Sequence, residues 1–305
     1  KNGFYSMIKS LKIQRWAINI FNHSHPAQGP NMQLSHNIHW LIKTLTAIGI
    51  FLFFEFGYIW ASKGHQSSDI INGTFSIDHS IPLIPEFIIP YMLGYLFVLT
   101  PIFLFNQKQD YYRAVFVFIF TLSIAFILFK LFPIHMSKTY ATGSDSFSQL
   151  TYFQQKNDTS FNNCPSLHVT LNLYCWGLLL IQFGRKMLWL AWIPAAIIFS
   201  TVFVKQHLVI DVVGGILLGS CSSYLFYRLK DYPVLSQRAY QASMLLVIIT
   251  FLMNLDKLSL VWKILWGFLQ SGGGIIAFTA ALFAIILVIG IMLKNRQQNR
   301  ESRNV

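Results

Sequence analysis

Seven long runs of apolar residues set the first limit on what this chain can fold into. An α-helix needs about 20 apolar residues to cross a hydrocarbon core of about 30 Å. Runs near that length lie at 40–60, 87–105, 111–132, 167–183, 187–204, 208–229 and 275–293, and a shorter one lies at 240–255. Because 54% of the 305 residues are hydrophobic and only 11% are charged, the sequence predicts an all-α polytopic membrane helix bundle with about eight spans.

The distribution of basic residues predicts the orientation of these spans. The formal net charge is +12, but the 23 Lys and Arg residues are spread between the apolar runs and form no stripe of the kind that binds nucleic acid. With the N-terminus inside, sixteen of them fall on the cytoplasmic side and seven on the other. Basic residues near span ends are retained in the cytoplasm. Both termini are therefore predicted to be cytoplasmic, with no nucleic-acid partner.

The segments outside the apolar runs have their own patterns. Segment 1–39 mixes apolar and basic residues, which fits either a helix lying on the inner leaflet or a solvated tail. The run that begins near Trp40 is expected to act as an uncleaved anchor. Segment 257–274 contains two Trp and two Lys, and this composition predicts an interfacial helix that ends at a glycine hinge.

The cysteine and histidine spacings indicate no cofactor. Cys164, Cys175 and Cys221 are scattered, and two of them lie inside apolar runs, so a disulfide framework is not predicted. No spacing resembles CxxC or HExxH. The sequence therefore predicts no metal site.

The segment 200–215 places titratable groups where a span begins. His207 and Asp211 are four residues apart, which puts both side chains on one face of a helix. A carboxylate there can accept the imidazole Nδ1 proton and leave Nε2 free as a nucleophile. The helix N-terminus is expected to offer free amides to a bound phosphate. The alternative is a helix cap with a satisfied interfacial pair.

The segment 161–170 has a comparable arrangement at the same predicted face. Pro165 and Ser166 precede His168 where another span begins. Ser166 at or near the N-cap can donate to a phosphate oxygen, and His168 can protonate a departing alkoxide. A Ser in this position is more often only a helix cap. Two such segments on one face favour the functional interpretation.

Phosphoryl transfer also needs cations around the phosphate oxygens. The candidates are Lys130 and Lys138, which follow the third run, and Lys205, two residues before His207. Each of them could instead extend to lipid headgroups. His135 lies in the same segment as Lys138 and is expected to be incidental.

In this order, these residues resemble the signature of the type 2 phosphatidic acid phosphatase superfamily. Its second part, Pro-Ser-x-His, is met by Pro165, Ser166 and His168, and the His-x-x-x-Asp of its third part is met by His207 and Asp211. The opening Ser of the third part coincides with Ser200.

Three positions depart from the usual signature. Thr201 stands where the third part has Arg, with Lys205 as the nearby charge, and Leu167 stands where the second part has Gly. The first part is represented only by Lys130 and by Lys138 followed by Thr139. These differences resemble the branch that includes inositol phosphorylceramide synthases.

The resemblance implies a division of the chain and a mechanism. It implies a six-span catalytic core over 40–230, with 1–39 as a cytoplasmic or interfacial N-terminal segment and 231–305 carrying two further spans and a basic tail. It also implies transfer without a metal, in which His207 attacks phosphorus, Asp211 orients His207 and His168 protonates the leaving group. Ser166, Lys138, Lys205 and Lys130 are then the candidate phosphate-binding residues.

Three functions remain open on this basis. The leading hypothesis is a lipid phosphate phosphatase that acts at the extracytoplasmic face, with a lipid phosphate as substrate. The alternative is a phosphotransferase that moves a phospho-headgroup to an acceptor lipid. The third is a transporter or a scaffold without catalytic activity.

Overall fold

The computed structural model describes residues 38–66, 69–259 and 263. These residues form an all-α fold, as the sequence predicts, with four short 3₁₀ helices and two strands of two residues each. The α-helices are α1 (Trp40–Ala61), α2 (Ser76–Ser80), α3 (Ile88–Phe97), α4 (Thr100–Leu104), α5 (Lys108–Leu131), α6 (Ser146–Asn157), α7 (Leu167–Phe183), α8 (Trp192–Phe203), α9 (Val209–Arg228) and α10 (Pro233–Leu252). The strands are β1 (Ile71–Asn72) and β2 (Ile134–His135), and the 3₁₀ helices are Pro85–Phe87, Arg185–Ala191, Leu229–Asp231 and Leu255–Lys257.

The predicted membrane bundle is confirmed for the part of the chain that the structure describes. Six helical stretches there are long and apolar enough to cross a membrane, namely Trp40–Ala61, Pro85–Leu104, Lys108–Leu131, Arg185–Phe203, Val209–Asp231 and Pro233–Leu252. The shorter apolar helix α7 corresponds to a seventh predicted run. The run 275–293 and nearly all of 1–39 and 257–274 lie outside the described residues.

One predicted boundary is wrong. The apolar run at 240–255 belongs to α10, which begins seven residues earlier, at Pro233. Proline suits the first turn of a helix because its missing N–H has no partner there in any case. Polar residues after Pro233 lower the hydropathy of the first turns, so a search for apolar runs placed the start of this helix too late.

The helices alternate in direction, so the bundle has two different ends. One end carries the long connections 62–84 and 132–166, and we call it the loop end. At the other end the helices are joined by a few residues, as at Gly184 between α7 and the next helix, and we call it the short-turn end. Both motif segments of the sequence lie at the loop end.

Burial within the bundle fits a bilayer as the surrounding solvent. Just over half of the most apolar window of α5 is buried (56%), whereas 17% of that of α10 is buried. Large apolar side chains on the outer surface, such as Leu217 and Leu245, are more than half exposed. Lipid tails are as apolar as these side chains, so this surface needs no further protein to cover it.

Glycines on α9 bring its first turns close to the first turns of α7. A Cβ atom at Gly219 would lie 2.6 Å from the backbone oxygen of Thr170, and one at Gly215 would lie 2.8 Å from that of Ser166. Small residues allow helix backbones to approach in this way. The packing therefore sets the start of α7 against the start of α9.

The connections at the loop end are tied to one another. β1 and β2 pair in parallel, with Ile71 opposite Ile134 and Asn72 opposite His135. A further bridge joins Ile134 to Asn162. Three separate parts of the chain thus form one layer over the helix ends.

The short-turn end is joined by buried charged groups. Arg113 pairs with Asp110 and donates to the backbone oxygen of Phe226 at 3.3 Å. Gln182 donates to the second oxygen of Asp110 at 2.7 Å. Lys43 donates to the backbone oxygen of Phe103 at 2.9 Å. These contacts join five helices, α1, α4, α5, α7 and α9.

Candidate functional site

A cavity of about 570 Å³ opens at the loop end. Its walls come from the connection after α1, the connection after α5 and the turn between α8 and α9. The lining residues are Ile70, Asn72, Thr74, Asp78, His79, Ile81, Leu83, His135, Met136, Ser137, Thr139, Val202, Lys205, His207 and Leu208. The lining residues therefore include three histidines, one lysine, one aspartate and several neutral polar residues.

His207 and Asp211 form the pair that their spacing predicts. The Nδ1 atom of His207 lies 3.4 Å from Oδ2 of Asp211, and both residues are buried. Asp211 is the third residue of α9, and its Oδ2 also accepts the amide of Leu208 at 2.8 Å. His207 lines the cavity, and its Nε2 has no hydrogen-bond partner among the described residues.

The turn before α9 holds His207 in place from the other side. The amides of Gln206 and His207 both donate to the backbone oxygen of Thr201 at 3.1 Å. The side chain of Thr201 is fully buried and donates to the backbone oxygen of Ile198. Residue 201 therefore anchors the turn and supplies no charge to the cavity.

One expectation about α9 is wrong. The amides of Leu208 and Val209 at its start are not free for a phosphate, because carboxylates already bind them. Asp211 takes the amide of Leu208, and Asp78 takes that of Val209 at 2.8 Å. A helix start can bind a ligand through amides only where its own side chains leave them unoccupied.

Ser166 and His168 lie beside this pair without lining the cavity. Ser166 is fully buried, its side chain caps α7 by accepting the amide of Val169 at 3.4 Å, and its own amide donates to the backbone oxygen of Asp211 at 2.9 Å. The two motif segments are therefore in direct contact.

The ring of His168 is held between two tyrosines. It stacks on Tyr91 with 3.9 Å between ring centroids, and Tyr95 meets it edge-on at 4.5 Å. Its Nε2 atom is buried and has no hydrogen-bond partner in the part of the chain that the structure describes. A buried polar atom without a partner is unfavourable, and this one is a candidate for a contact with substrate.

Lys205 lines the cavity beside His207. Its Nζ atom donates to the backbone oxygen of Asp78 at 2.8 Å. Partial burial lowers the pKa of Lys205, and the negative charge of Asp78 opposes that shift. Of the three lysines that the sequence proposes, Lys205 is the one that borders the cavity.

Lys138 and Lys130 lie elsewhere at the loop end. Lys138 donates to the backbone oxygens of Gln155 at 2.9 Å and Asp158 at 2.8 Å, at the end of α6. Burial lowers the pKa of Lys138, and the charge of Asp158 opposes the shift. Lys130 contacts the backbone oxygen of Lys63 and lies over the ring of Trp60. Phosphate binding by either lysine stays a prediction.

Three titratable residues that line the cavity were not proposed for the site by the sequence analysis. Asp78 and His79 lie on α2, in the connection after the first span, and His135, which was expected to be incidental, lies on β2. Asp78 is the third residue of its short helix, and its side chain accepts the amide of Phe75, the residue before that helix. No spacing rule links this helix to His207.

Gln155 connects two walls of the cavity. This fully buried side chain donates to the backbone oxygens of Thr139 at 2.9 Å and Val204 at 3.0 Å, and accepts the amide of Ala141 at 2.9 Å. It thereby links the connection after α5 to the turn that carries Lys205. An amide that satisfies three backbone groups in this way rigidifies the loops that it joins.

Comparison with protein families gives one match. Residues 88–225 match the family described as the PAP2 superfamily. Comparisons with curated proteins and with solved structures give no match. The matched range contains all the residues that the sequence analysis proposes for the site, whereas α2 with Asp78 and His79 precedes it. The resemblance to the inositol phosphorylceramide synthase branch stays a prediction.

Proposed function

We propose that this integral membrane protein is a lipid phosphate phosphatase, because residues 88–225 match the PAP2 superfamily. It hydrolyses a phosphomonoester or pyrophosphate of a lipid through a phosphohistidine intermediate. The core of this activity is the six-span region 40–230. The segments 1–39 and 231–305 lie outside it.

The observation that carries the proposal is the pairing of His207 with Asp211 at the edge of the cavity. The carboxylate accepts the Nδ1 proton of His207, so that Nε2 is the unprotonated nitrogen that faces substrate. The Nδ1–Oδ2 distance of 3.4 Å is longer than a strong hydrogen bond. Such catalytic contacts are often long in the absence of substrate and shorten when it binds.

The proposed reaction has two steps. In the first, Nε2 of His207 attacks phosphorus, the bond from phosphorus to the lipid oxygen breaks, and His168 gives a proton to the departing alkoxide. In the second, a water molecule gives a proton to His168 and attacks phosphorus, and the phosphorus–nitrogen bond breaks to release phosphate. The contact between Ser166 and Asp211 supports this arrangement, because it holds the two histidine segments together.

Lys205 is the proposed partner of the phosphate oxygens. It borders the same cavity as His207, and the carbonyl that it binds in this structure is a neutral group that a charged phosphate can displace. Ser166, Lys138 and Lys130 stay predictions for this role. Asp211 acts through His207 and is a positioning residue.

The size of the cavity supports a phosphotransferase as the second candidate. A water molecule occupies about 30 Å³, so about 570 Å³ holds far more than a phosphate and one water. Asn72, Thr74, Ser137 and Thr139 line it with neutral polar groups. An acceptor alcohol can therefore take the place of water in the second step, as in an inositol phosphorylceramide synthase-like reaction. A protein without catalytic activity is the least favoured candidate.

The proposed orientation places the loop end outside the cytoplasm. Basic residues at the short-turn end, including Lys108, Arg185, Lys186 and Arg228, exceed those at the loop end. The active site would then face the periplasm, the extracellular space or an organelle lumen. Both termini would be cytoplasmic.

The test is phosphate release from a panel of lipid phosphates by the full chain purified in detergent, without added metal. We expect turnover by the natural chain and a loss of at least about 10³-fold in the His207→Gln variant. Rapid quenching in alkali should trap phosphate on the natural chain and not on the variant, because phosphohistidine is stable to alkali.

The matched control is His65→Gln. His65 lies at the same end of the bundle, and its Nε2 contacts the backbone oxygen of Ala61 at 2.8 Å, but it does not line the cavity. It should keep full activity. Turnover by His207→Gln equal to that of His65→Gln would refute the proposal. With an acceptor lipid present, label that appears on the lipid instead of in free phosphate would favour the phosphotransferase.

A further inference from the structure

Asp78 holds the start of α9 from a part of the chain that lies outside the matched family region. It is 7% exposed and belongs to the connection between the first two spans. Its Oδ1 accepts the amide of Val209 at 2.8 Å, and its Oδ2 accepts the amide of Phe75 at 2.8 Å. A single carboxylate therefore caps its own short helix and also binds the first residue of α9.

Asp78 also contacts the chain before His207, at Lys205. Its backbone oxygen accepts the ammonium group of Lys205 at 2.8 Å. Asp78 thus contacts the residues two before and two after His207. The turn between these contacts is short, so its freedom to rotate is small.

The backbone of this turn is in a conformation that needs support. Lys205 has φ +51°, a left-handed conformation that residues other than glycine seldom adopt. Such conformations persist where the surroundings hold them. Here the amide of Lys205 donates to the backbone oxygen of Val202 at 3.2 Å, the amides of Gln206 and His207 donate to that of Thr201, and the side chain of Lys205 binds Asp78.

Two carboxylates divide the first amides of α9 between them. Asp211 binds the amide of Leu208 and also contacts His207, while Asp78 binds the next amide along the chain. If Asp78 is removed, the amide of Val209 loses its partner and competes for Asp211 or for water. Asp211 would then have to accept from the amide of Val209 as well as from Leu208 and His207, and it would orient the imidazole less well.

From these contacts we infer that Asp78 is a positioning residue for the histidine nucleophile, an inference that rests on the proposed function. Through its bond to the amide of Val209, the carboxylate of Asp78 keeps the turn 205–209 fixed so that Nε2 of His207 stays directed at the phosphate site. Both oxygens of its carboxylate accept amide donors. The positive charge of Lys205 nearby reduces the repulsion between this carboxylate and a bound phosphate.

The experiment measures the single-turnover rate constant for phosphorylation of His207 in the full chain. A rate constant does not depend on the fraction of protein that is folded, so a purely structural role would not change it. We expect about a tenfold decrease for Asp78→Asn, which keeps one acceptor oxygen, and about a hundredfold decrease for Asp78→Ala, which keeps none. The KM for the lipid should change less than the rate constant.

The matched control is Asp145→Asn. Asp145 caps α6 at the same end of the bundle by accepting the amides of Phe147 and Ser148 at 3.0 Å, but it does not line the cavity. Its substitution should leave the rate constant unchanged. An unchanged rate constant in both Asp78 variants would overturn the inference, while a natural chain that forms no phosphohistidine would overturn the proposed function instead.

Should Asp78→Ala fail to fold, Asp78→Asn and Asp78→Glu decide the matter. The longer Asp78→Glu side chain keeps the charge and shifts the acceptor oxygens. Partial recovery of the rate constant by Asp78→Glu relative to Asp78→Asn would support a positioning carboxylate. Equal rate constants in Asp78→Asn, Asp78→Glu and the natural chain would contradict it.

Discussion

The two ends of the helix bundle use buried polar groups in different ways. At the short-turn end, Arg113 pairs with Asp110, which also accepts from Gln182, and Lys43 binds a helix-end carbonyl. Among the described residues, buried side-chain atoms without a hydrogen-bond partner occur at both ends: Nε of Arg113 at the short-turn end, and Nε2 of His168 and Oδ1 of Asp211 at the loop end. Unpaired buried atoms are unfavourable unless a ligand completes them. The two ends differ in that the polar groups of the loop end border a cavity, with His207 and Lys205 in its lining.

The largest expected effect separates two aspartates, one from each end. Asp211→Asn should lower the turnover of folded protein by about 10³- to 10⁴-fold, because an amide no longer fixes the required tautomer of His207. Asp110→Asn should leave the turnover of folded protein unchanged. It should lower the free energy of unfolding by about 3 kcal/mol or more, because it leaves the buried Arg113 without a charged partner.

Both variants are measured by steady-state phosphate release and by thermal unfolding in detergent. The comparison between the two ends would fail if Asp110→Asn lost turnover while remaining folded, or if Asp211→Asn were active.

The next effect concerns the contact between α7 and α9. Gly219→Ala would place a Cβ atom 2.6 Å from the backbone oxygen of Thr170, which is not a flexible group. Overpacking of this kind costs about 1–3 kcal/mol, so the unfolding temperature should fall. The shift of α9 against α7 should also reduce turnover, since the site is built on the starts of both helices.

Gly49→Ala on α1 is the control for that change. Its Cβ atom would meet only the side chain of Val247, at 3.2 Å, and alanine favours a helix over glycine by about 0.5–1 kcal/mol. Stability and turnover should stay close to those of the natural chain. Equal losses in both glycine variants would show that the close approach of α7 and α9 has no special role.

A smaller effect is expected from the lysine that borders the cavity. Lys205→Met should raise the KM for the lipid phosphate about tenfold, as expected for the loss of a contact worth about 1.4 kcal/mol. Lys43→Met at the short-turn end should lower stability and leave KM unchanged. A KM that is the same in both variants would exclude Lys205 from phosphate binding.

The pH dependence of KM provides a second test of Lys205. Burial lowers the pKa of this lysine against the opposing effect of Asp78, so its positive charge is present at low pH and is lost at a lower pH than in an ordinary lysine. KM should therefore rise as pH increases through that pKa. Arginine stays charged at all accessible pH values, so Lys205→Arg should remove the rise on the alkaline side.

The smallest effect is expected for Lys138→Met. Lys138 binds two carbonyl oxygens at the end of α6, so its loss should lower the free energy of unfolding by about 1–3 kcal/mol and change KM little. Thermal unfolding and steady-state kinetics measure the two quantities. A large increase in KM without a loss of stability would support phosphate binding by Lys138.

Sequence reasoning located the spans and the central pair because both depend on local spacing. Apolar runs reveal where helices lie in a bilayer, and a four-residue interval on a helix places His207 and Asp211 on one face whatever the rest of the chain does. It missed the start of α10 because the first turns of that helix are polar. It also overestimated the free amides at α9 because a partner from α2 could not be seen.

The sequence by itself thus determined that the chain is a membrane helix bundle, and it predicted which residues carry a histidine-based reaction. Only the tertiary structure decided that Lys205, and not Lys138 or Lys130, borders the cavity with His207, and that Asp78 binds the start of α9. Asp78 and Val209 are 131 residues apart in the chain. Such contacts follow from how helices and connections pack together, and that packing has no periodic signature within either segment.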